Sequence, residues 1–401
     1  MGSRAFKLQQ NLKSVKKQLI VWNKTIFGKI DKEIKDKQLQ LQHLQNTIHT
    51  VEDVKKERYL RIELENLMER EEIMWAQKAR SNWIIQGDRN IKFFQTIVKQ
   101  RRARNRILQL RTANGNLTKD LTEIESMLVI YFKEHYFETN SKSVDQLMED
   151  LATIPIPKID QQQKDLLESP VTNSEIERAV HQLGPHKAPE PDGILALFYQ
   201  EFWSTVKQDI LNSTHAFFHS GSLLKSLNQT FLTLIPKVQF PDDVSQFRPM
   251  SLCNVVYKII SKIMVDRLKP LMDKLITPYQ NVFIRGRNIT DNILLTHEIF
   301  DTLRKKKGRK KGYGALKIDM SKAYDRVNWN FLKAVLLSMN FGTTWINWVM
   351  ECVTTVQYTL LVNGSPTQPF HPSRGLRQGD PISPYLFLFC ANILSIALID
   401  A

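Results

Sequence analysis

The chain of 401 residues has only three cysteines (Cys253, Cys352, Cys390) and no Cys-x-x-Cys, so neither a disulfide scaffold nor a cysteine zinc site is expected. It lacks any apolar run near the ~20 residues of a spanning helix, and its N-terminus is too polar for a signal peptide. An intracellular protein, in nucleus or cytoplasm and away from membranes, is the expectation. Acidic residues are in deficit: 56 Lys and Arg against 41 Asp and Glu leave a charge of +15, which points to a polyanionic partner, nucleic acid above all. Proline is absent from about residue 8 to 85, where Leu12, Val15, Leu19, Trp22, Ile26, Ile34, Leu41, Leu44, Leu60, Leu64 and Leu67 recur at helical spacing. Long helices folded back near Thr50 to Asp53 are predicted, with a structural or partner-binding role.

After Gly87-Asp88 comes a basic, aromatic stretch with Phe93, Phe94, Lys99, Arg101, Arg102, Arg104 and Arg106. Such interleaving suits a phosphate backbone with bases to stack on; a solvated helix face with both phenylalanines in the core fits equally. Asn114-Gly115 signals a hairpin, and residues 140–165, with Pro155 and Pro157 among Gln and acidic neighbours, read as a linker. Thr172 to Glu175 has the form of a capping box. Further on, the pattern predicts a β run at 231–237, a helix over 254–275 and another over 292–303. That last helix runs into residues 304–311, where seven of eight residues are basic: a solvated loop, a nucleic-acid contact or a nuclear address.

Two segments carry chemistry. In Ala315-Leu316-Lys317-Ile318-Asp319-Met320 the alternation predicts a short strand ending at Asp319, whose carboxylate either holds a hard cation or caps the next turn. Gly375-Leu376-Arg377-Gln378-Gly379-Asp380-Pro381 follows a hairpin turning at Asn363-Gly364 and precedes a helix starting near Pro381, a loop able to approach a base or phosphate closely.

In this order the segments resemble the reverse transcriptases of LINE-type (non-LTR) retrotransposons of the plant kind. The resemblance rests on Lys-Ala-Pro-Glu-Pro-Asp-Gly (187–193), Leu-Ile-Pro-Lys (234–237), Phe-Arg-Pro-Met-Ser-Leu (247–252), Gln280 to Arg287, the Asp319 segment and Leu-Arg-Gln-Gly-Asp-Pro (376–381). The stretch Gln86 to Phe94 resembles the region preceding the polymerase.

The resemblance implies an α+β right-hand polymerase: a helical hairpin region (1–85), a basic inter-domain region and linker (86–169), fingers (170–310) and a partial palm with an antiparallel sheet (311–401). It implies RNA-directed DNA polymerase activity on an RNA template and DNA primer with deoxynucleoside triphosphates. Two Mg²⁺ ions ~3.5–4 Å apart would activate the primer 3′-hydroxyl and steady the leaving pyrophosphate. Asp319 would be the metal carboxylate, with the Met320 carbonyl as a further ligand. Tyr324 would screen the sugar 2′ carbon, Lys237 and Arg248 clamp the triphosphate, and Gln378 and Gly379 underlie the nascent pair. Lys99, Arg101, Arg102, Arg104 and Arg106 would track nucleic acid.

Two departures stand out. Glu190 replaces the usual glycine, which puts a side chain poorly suited to positive φ, and a negative charge, near presumed nucleic acid. No Ala-Asp-Asp occurs in the 401 residues, nor any thumb, zinc knuckle, RNase H or endonuclease segment. A truncated, inactive copy is therefore expected. The alternatives are a non-enzymatic RNA-binding or scaffold protein using the basic N-terminal helices, and a maturase-like RNA-binding relative.

Overall fold

The computed structural model describes residues 4–47, 49–79, 90–188, 190–305 and 314–400. Most of the basic run, residues 306–311, and the 86–89 stretch lie outside them. The chain forms two compact units: Lys7–Ile107 with Val238–Phe240, and the remainder.

The first unit is helical. Helices Ile30–Asn46 and Val51–Ala79 run antiparallel, tied by Lys37 to Glu63 (2.6 Å) and Gln45 to Glu57 (2.9 Å). The fold-back falls where the sequence places it: Asp53 accepts from the Thr50 hydroxyl (2.8 Å) and the Thr50 amide (3.0 Å), and these bonds lower its carboxyl pKa. Helix Ile91–Asn105 adds a small core of Ala79, Phe94 and Val98 with Trp75, Ala76 and Ile97. Phe94 is core, as one reading of the aromatic pair has it, whereas Phe93 is 39% exposed and departs from that reading.

The second unit pairs helices with a mixed sheet. Strands β1 (Leu110–Arg111) and β2 (Leu117–Thr118) form the small hairpin at Asn114-Gly115. The main sheet has the order β4-β3-β5-β6, with β3 Gln229–Pro236, β4 Phe247–Cys253, β5 Gln357–Val362 and β6 Ser365–Pro366. β3 is antiparallel to β4 but parallel to β5, so the sheet is not purely antiparallel; the long, largely helical stretch between β3 and β5 gives the crossover a parallel pair needs. Along β3, Thr230, Leu232 and Leu234 are buried, while Phe231, Thr233 and Ile235 lie on the more open face. Helix Val255–Leu268 is buried on nearly all sides.

That helix stops before the expected Leu275. Pro270 has no amide hydrogen to continue it, and a 3₁₀ turn (Lys269–Leu271) leads into a separate short helix, Met272–Leu275. The segment read as a linker is also structured. Helix Val144–Leu151 opens with a Ser143/Gln146 capping box, Ile156 and Ile159 are buried, and Ile159 donates to the Met339 carbonyl (3.0 Å) and accepts from the Asn340 side-chain amide (2.9 Å). Gln146 and Gln163 therefore serve as caps rather than as linker filler.

The strand expected at 315–319 does not form. Residues 314–320 are irregular and exposed, Leu316 to 86%, because none of the described strands pairs with them. The final helix begins at Ser383, after Pro381, and runs to Asp400. It alone among the described helices is long and apolar enough to cross a membrane by composition, which the run-length reading did not register; Leu386, Leu388, Phe389 and Ile393 are nevertheless buried in the unit.

Glu190 overturns its expectation too. Positive φ falls at Gly193, not at 190, and Glu190 is 7% exposed and ion-paired with Lys258 instead of facing outward. Burial raises its carboxyl from 4.5 to about 7 against the pull of Lys258. Between those values the folded carboxyl keeps a proton that the unfolded chain has lost, so stability falls as pH rises through that window. Urea midpoints from pH 4.5 to 7.5 are expected to show this fall in the wild type and a flatter profile in Glu190→Gln; parallel profiles would contradict it.

Candidate nucleotide site

The loop 375–380 is anchored from below by charge. Arg377 is 3% exposed, with its guanidinium 3.9 Å from the Tyr257 ring centroid. It donates to Asn228 Oδ1 (2.6 Å) and the Cys352 carbonyl (2.7 Å), and its Nε lies 3.4 Å from Asp380. Asp380 in turn accepts from the Tyr257 hydroxyl (2.6 Å) and the Ser261 hydroxyl (2.5 Å). Burial pushes the Tyr257 phenol well above its usual range, so it remains a donor. The outer residues are more open: Gln378 is half-buried and Gly379 exposed.

Two edges hold the loop laterally. On one, the Ser251 amide of β4 donates to the Gln378 carbonyl (2.8 Å). Gly379 has φ +114°, and a Cβ there would stand 3.1 Å from the Ser251 carbonyl oxygen, so glycine is needed for this approach. On the other edge, Leu376 donates to the Tyr324 carbonyl and Gly375 to that of Val327, both at 2.8 Å. At Gly375 (φ +96°) a Cβ would sit 2.8 Å from the Asp325 carbonyl oxygen.

Asp325 ties these edges together, and sequence reasoning gave it no role. It is buried; its Oδ1 accepts from Gln378 Nε2 (2.9 Å) and the Tyr136 hydroxyl (3.0 Å), while His135 Nε2 lies 3.4 Å from Oδ2. Burial, then the Asp325 charge, pushes the Tyr136 phenol well up. The available signal was its place in Ala323-Tyr324-Asp325, one residue past the singled-out tyrosine. Tyr324 stacks on Phe387 (4.9 Å, 16°), half-exposed, and burial raises its pKa.

Lys237 and Arg248 share one face of the β3–β4 pair. Arg248 stands opposite Ile235, Lys237 follows the end of β3, and both side chains are exposed. Lys237 Nζ donates to the Ser245 carbonyl (2.9 Å). Ser251 lies three residues beyond Arg248 on β4, so this basic face and the Gln378 loop share a strand. Asp319 is not assembled in the same way: its carboxylate and Met320 are exposed on the irregular segment, and among the described residues no three His, Cys, Asp or Glu side chains gather for a metal. Lys99, Arg101, Arg102, Arg104 and Arg106 lie exposed on or just after helix Ile91–Asn105 of the other unit, Arg101 bonding the Ala79 carbonyl (2.9 Å).

Comparison with known proteins matches residues 235–400 to the reverse transcriptase (RNA-dependent DNA polymerase) family. That span holds Lys237, Arg248, Asp319, Tyr324 and the Gln378 loop together. Over those residues the chain is similar to reverse transcriptases, and its similarity to retrotransposon proteins extends further along the sequence. It is similar to the transposon TX1 uncharacterized 149 kDa protein of Xenopus laevis, 28% identical over 324 residues, 81% of this chain and 24% of that protein. It is similar also to the Pol polyproteins of R2 retrotransposable elements. The one from Popillia japonica is 27% identical over 39% of this chain and 21% of its own length; the one from Drosophila melanogaster is 26% identical over 50% and 18%. The matched part of this chain thus spans about a quarter or less of these relatives.

Proposed function

We propose that the second unit supplies the fingers and part of the palm of an RNA-directed DNA polymerase, and that its loop at Gln378-Gly379 is the floor for the pair between an RNA template base and an incoming deoxynucleoside triphosphate. One observation carries this reading: the loop is bonded at once to β4, which bears Arg248, and to the turn that bears Tyr324. Arg248 and Lys237 then meet triphosphate oxygens, the guanidinium fork being the better match, and Tyr324 stands against the sugar.

Reverse transcriptases use divalent metal ions, and Asp319 with the Met320 carbonyl would offer oxygen ligands to one. The described residues do not gather the carboxylates that two ions require. What the chain's own residues do is grip and orient. A DNA primer on an RNA template is the partner this assigns.

The exposed arginines after Lys99 support a second contribution, a sequence-tolerant grip on single strands by the helical unit. Affinity of the whole chain for single-stranded RNA is expected to fall steeply with salt. Changing Arg101, Arg102, Arg104 and Arg106 to Gln should flatten the log K against log salt slope by about 0.7 per lost contact. A slope unchanged in the variant places the contacts elsewhere, and failure of the wild-type chain to bind RNA at all defeats the reading.

A further inference from the structure

The Gln280 to Arg287 stretch has so far carried no role. It links helix Met272–Leu275 to helix Ile289–Lys305 and is braced with unusual density. Arg287 donates to the carbonyls of Thr277 (2.6 Å), Gln280 (2.8 Å) and Ile276 (3.2 Å) and pairs with Asp273 (2.7 Å). The Asn281 amide bonds the Asn288 carbonyl (3.0 Å) and Asn292 Oδ1 (2.8 Å), and both Asn281 and Ile284 are buried.

Inside this brace the loop does something costly. Phe283 is held at φ +62°, a conformation that bulky side chains rarely adopt, and its ring is 53% exposed. The ring leans on Tyr385 (centroids 6.5 Å apart). Tyr385 lies two residues before Phe387, the ring beneath Tyr324, at the start of the helix that follows the Gln378 loop. Arg285 and Tyr279 are exposed on the same loop. Within the unit, neither backbone nor burial rewards this placement of Phe283. A ligand with a flat, apolar face and a nearby negative charge would.

We propose that residues 279–287 form a platform for unpaired template RNA, with Phe283 stacking on a base just outside the pair at Gln378 and Arg285 meeting an adjacent phosphate. This rests on the polymerase reading above. An apolar protein segment is the competing occupant.

The test uses the full chain and two RNA–DNA hybrids, one blunt and one with an unpaired template overhang carrying 2-aminopurine at its first position. Phe283→Gly relieves the backbone, so its urea midpoint should equal or exceed that of the wild type. Its affinity for the overhang hybrid should nevertheless fall about ten-fold, the loss of one base–aromatic stack. Phe283→Tyr should keep wild-type affinity, and Arg285→Ala should flatten the salt slope by about 0.7. The 2-aminopurine signal should change on wild-type binding and not on Phe283→Gly binding. Unaltered overhang affinity and signal in Phe283→Gly would overturn the platform, as would a loss of affinity matched on the blunt hybrid. A wild-type chain that binds both hybrids equally defeats the platform alone; one that binds neither defeats the polymerase reading with it.

Discussion

Primer extension by the 401-residue chain is expected to be undetectable on an RNA template with either Mg²⁺ or Mn²⁺. Two divalent ions ~3.5–4 Å apart repel strongly unless several carboxylates compensate four positive charges, and the repulsion grows as water is excluded. Asp319 is exposed on an irregular segment, and the described residues bring no carboxylate pair to join it. The sequence contains no Ala-Asp-Asp from which a second ligand pair would come. Binding and chemistry should therefore separate: hybrids are gripped but not extended. Extension that is present in the wild type and lost in Asp319→Ala would sink this prediction.

Legibility in the sequence followed the range of the interactions involved. Features set by a few neighbouring residues were readable: the Thr172/Glu175 capping box, the hairpins at Asn114-Gly115 and Asn363-Gly364, and the helix fold-back at Thr50 to Asp53. Tyr324, Gln378 and Gly379 were singled out through the resemblance, and the structure joins the segments that carry them: Leu376 donates to the Tyr324 carbonyl and Gln378 to the Asp325 carboxylate. Features that need a distant partner were not. Alternation at 315–319 has the local pattern of a strand, yet a strand also needs a neighbour to take its backbone hydrogen bonds. Glu190 read as a negative charge near nucleic acid because its counter-charge, Lys258, is 68 residues away. Asp325 went unassigned for the same reason: its partners Tyr136 and Gln378 lie 189 and 53 residues off in sequence.

Arg377→Leu is expected to destabilise the chain by ~3–5 kcal/mol, the range found when one member of a buried ion pair is removed. The leucine fills much of the volume, so the loss is electrostatic more than steric. It strands the Asn228 side-chain oxygen, takes one of its donors from the Cys352 carbonyl, which keeps the Asn228 side-chain amide, and leaves the buried Asp380 carboxylate with neutral donors alone, the Tyr257 and Ser261 hydroxyls and the Ile382 amide. Against a typical domain stability of about 5–15 kcal/mol this is a large share. Arg377→Lys should recover only part, since an ammonium cannot serve Asn228, Cys352 and Asp380 together from one plane while lying over Tyr257. Replacing Asp380 as well, by Leu, should cost less than the two single changes summed, because the stranded charge is gone. Urea midpoints of the wild type, the three single variants Arg377→Leu, Arg377→Lys and Asp380→Leu, and the double variant measure this directly. A shift below ~1 kcal/mol for Arg377→Leu, or strict additivity in the double variant, would show that this buried charge network is not what holds the Gln378 loop in place.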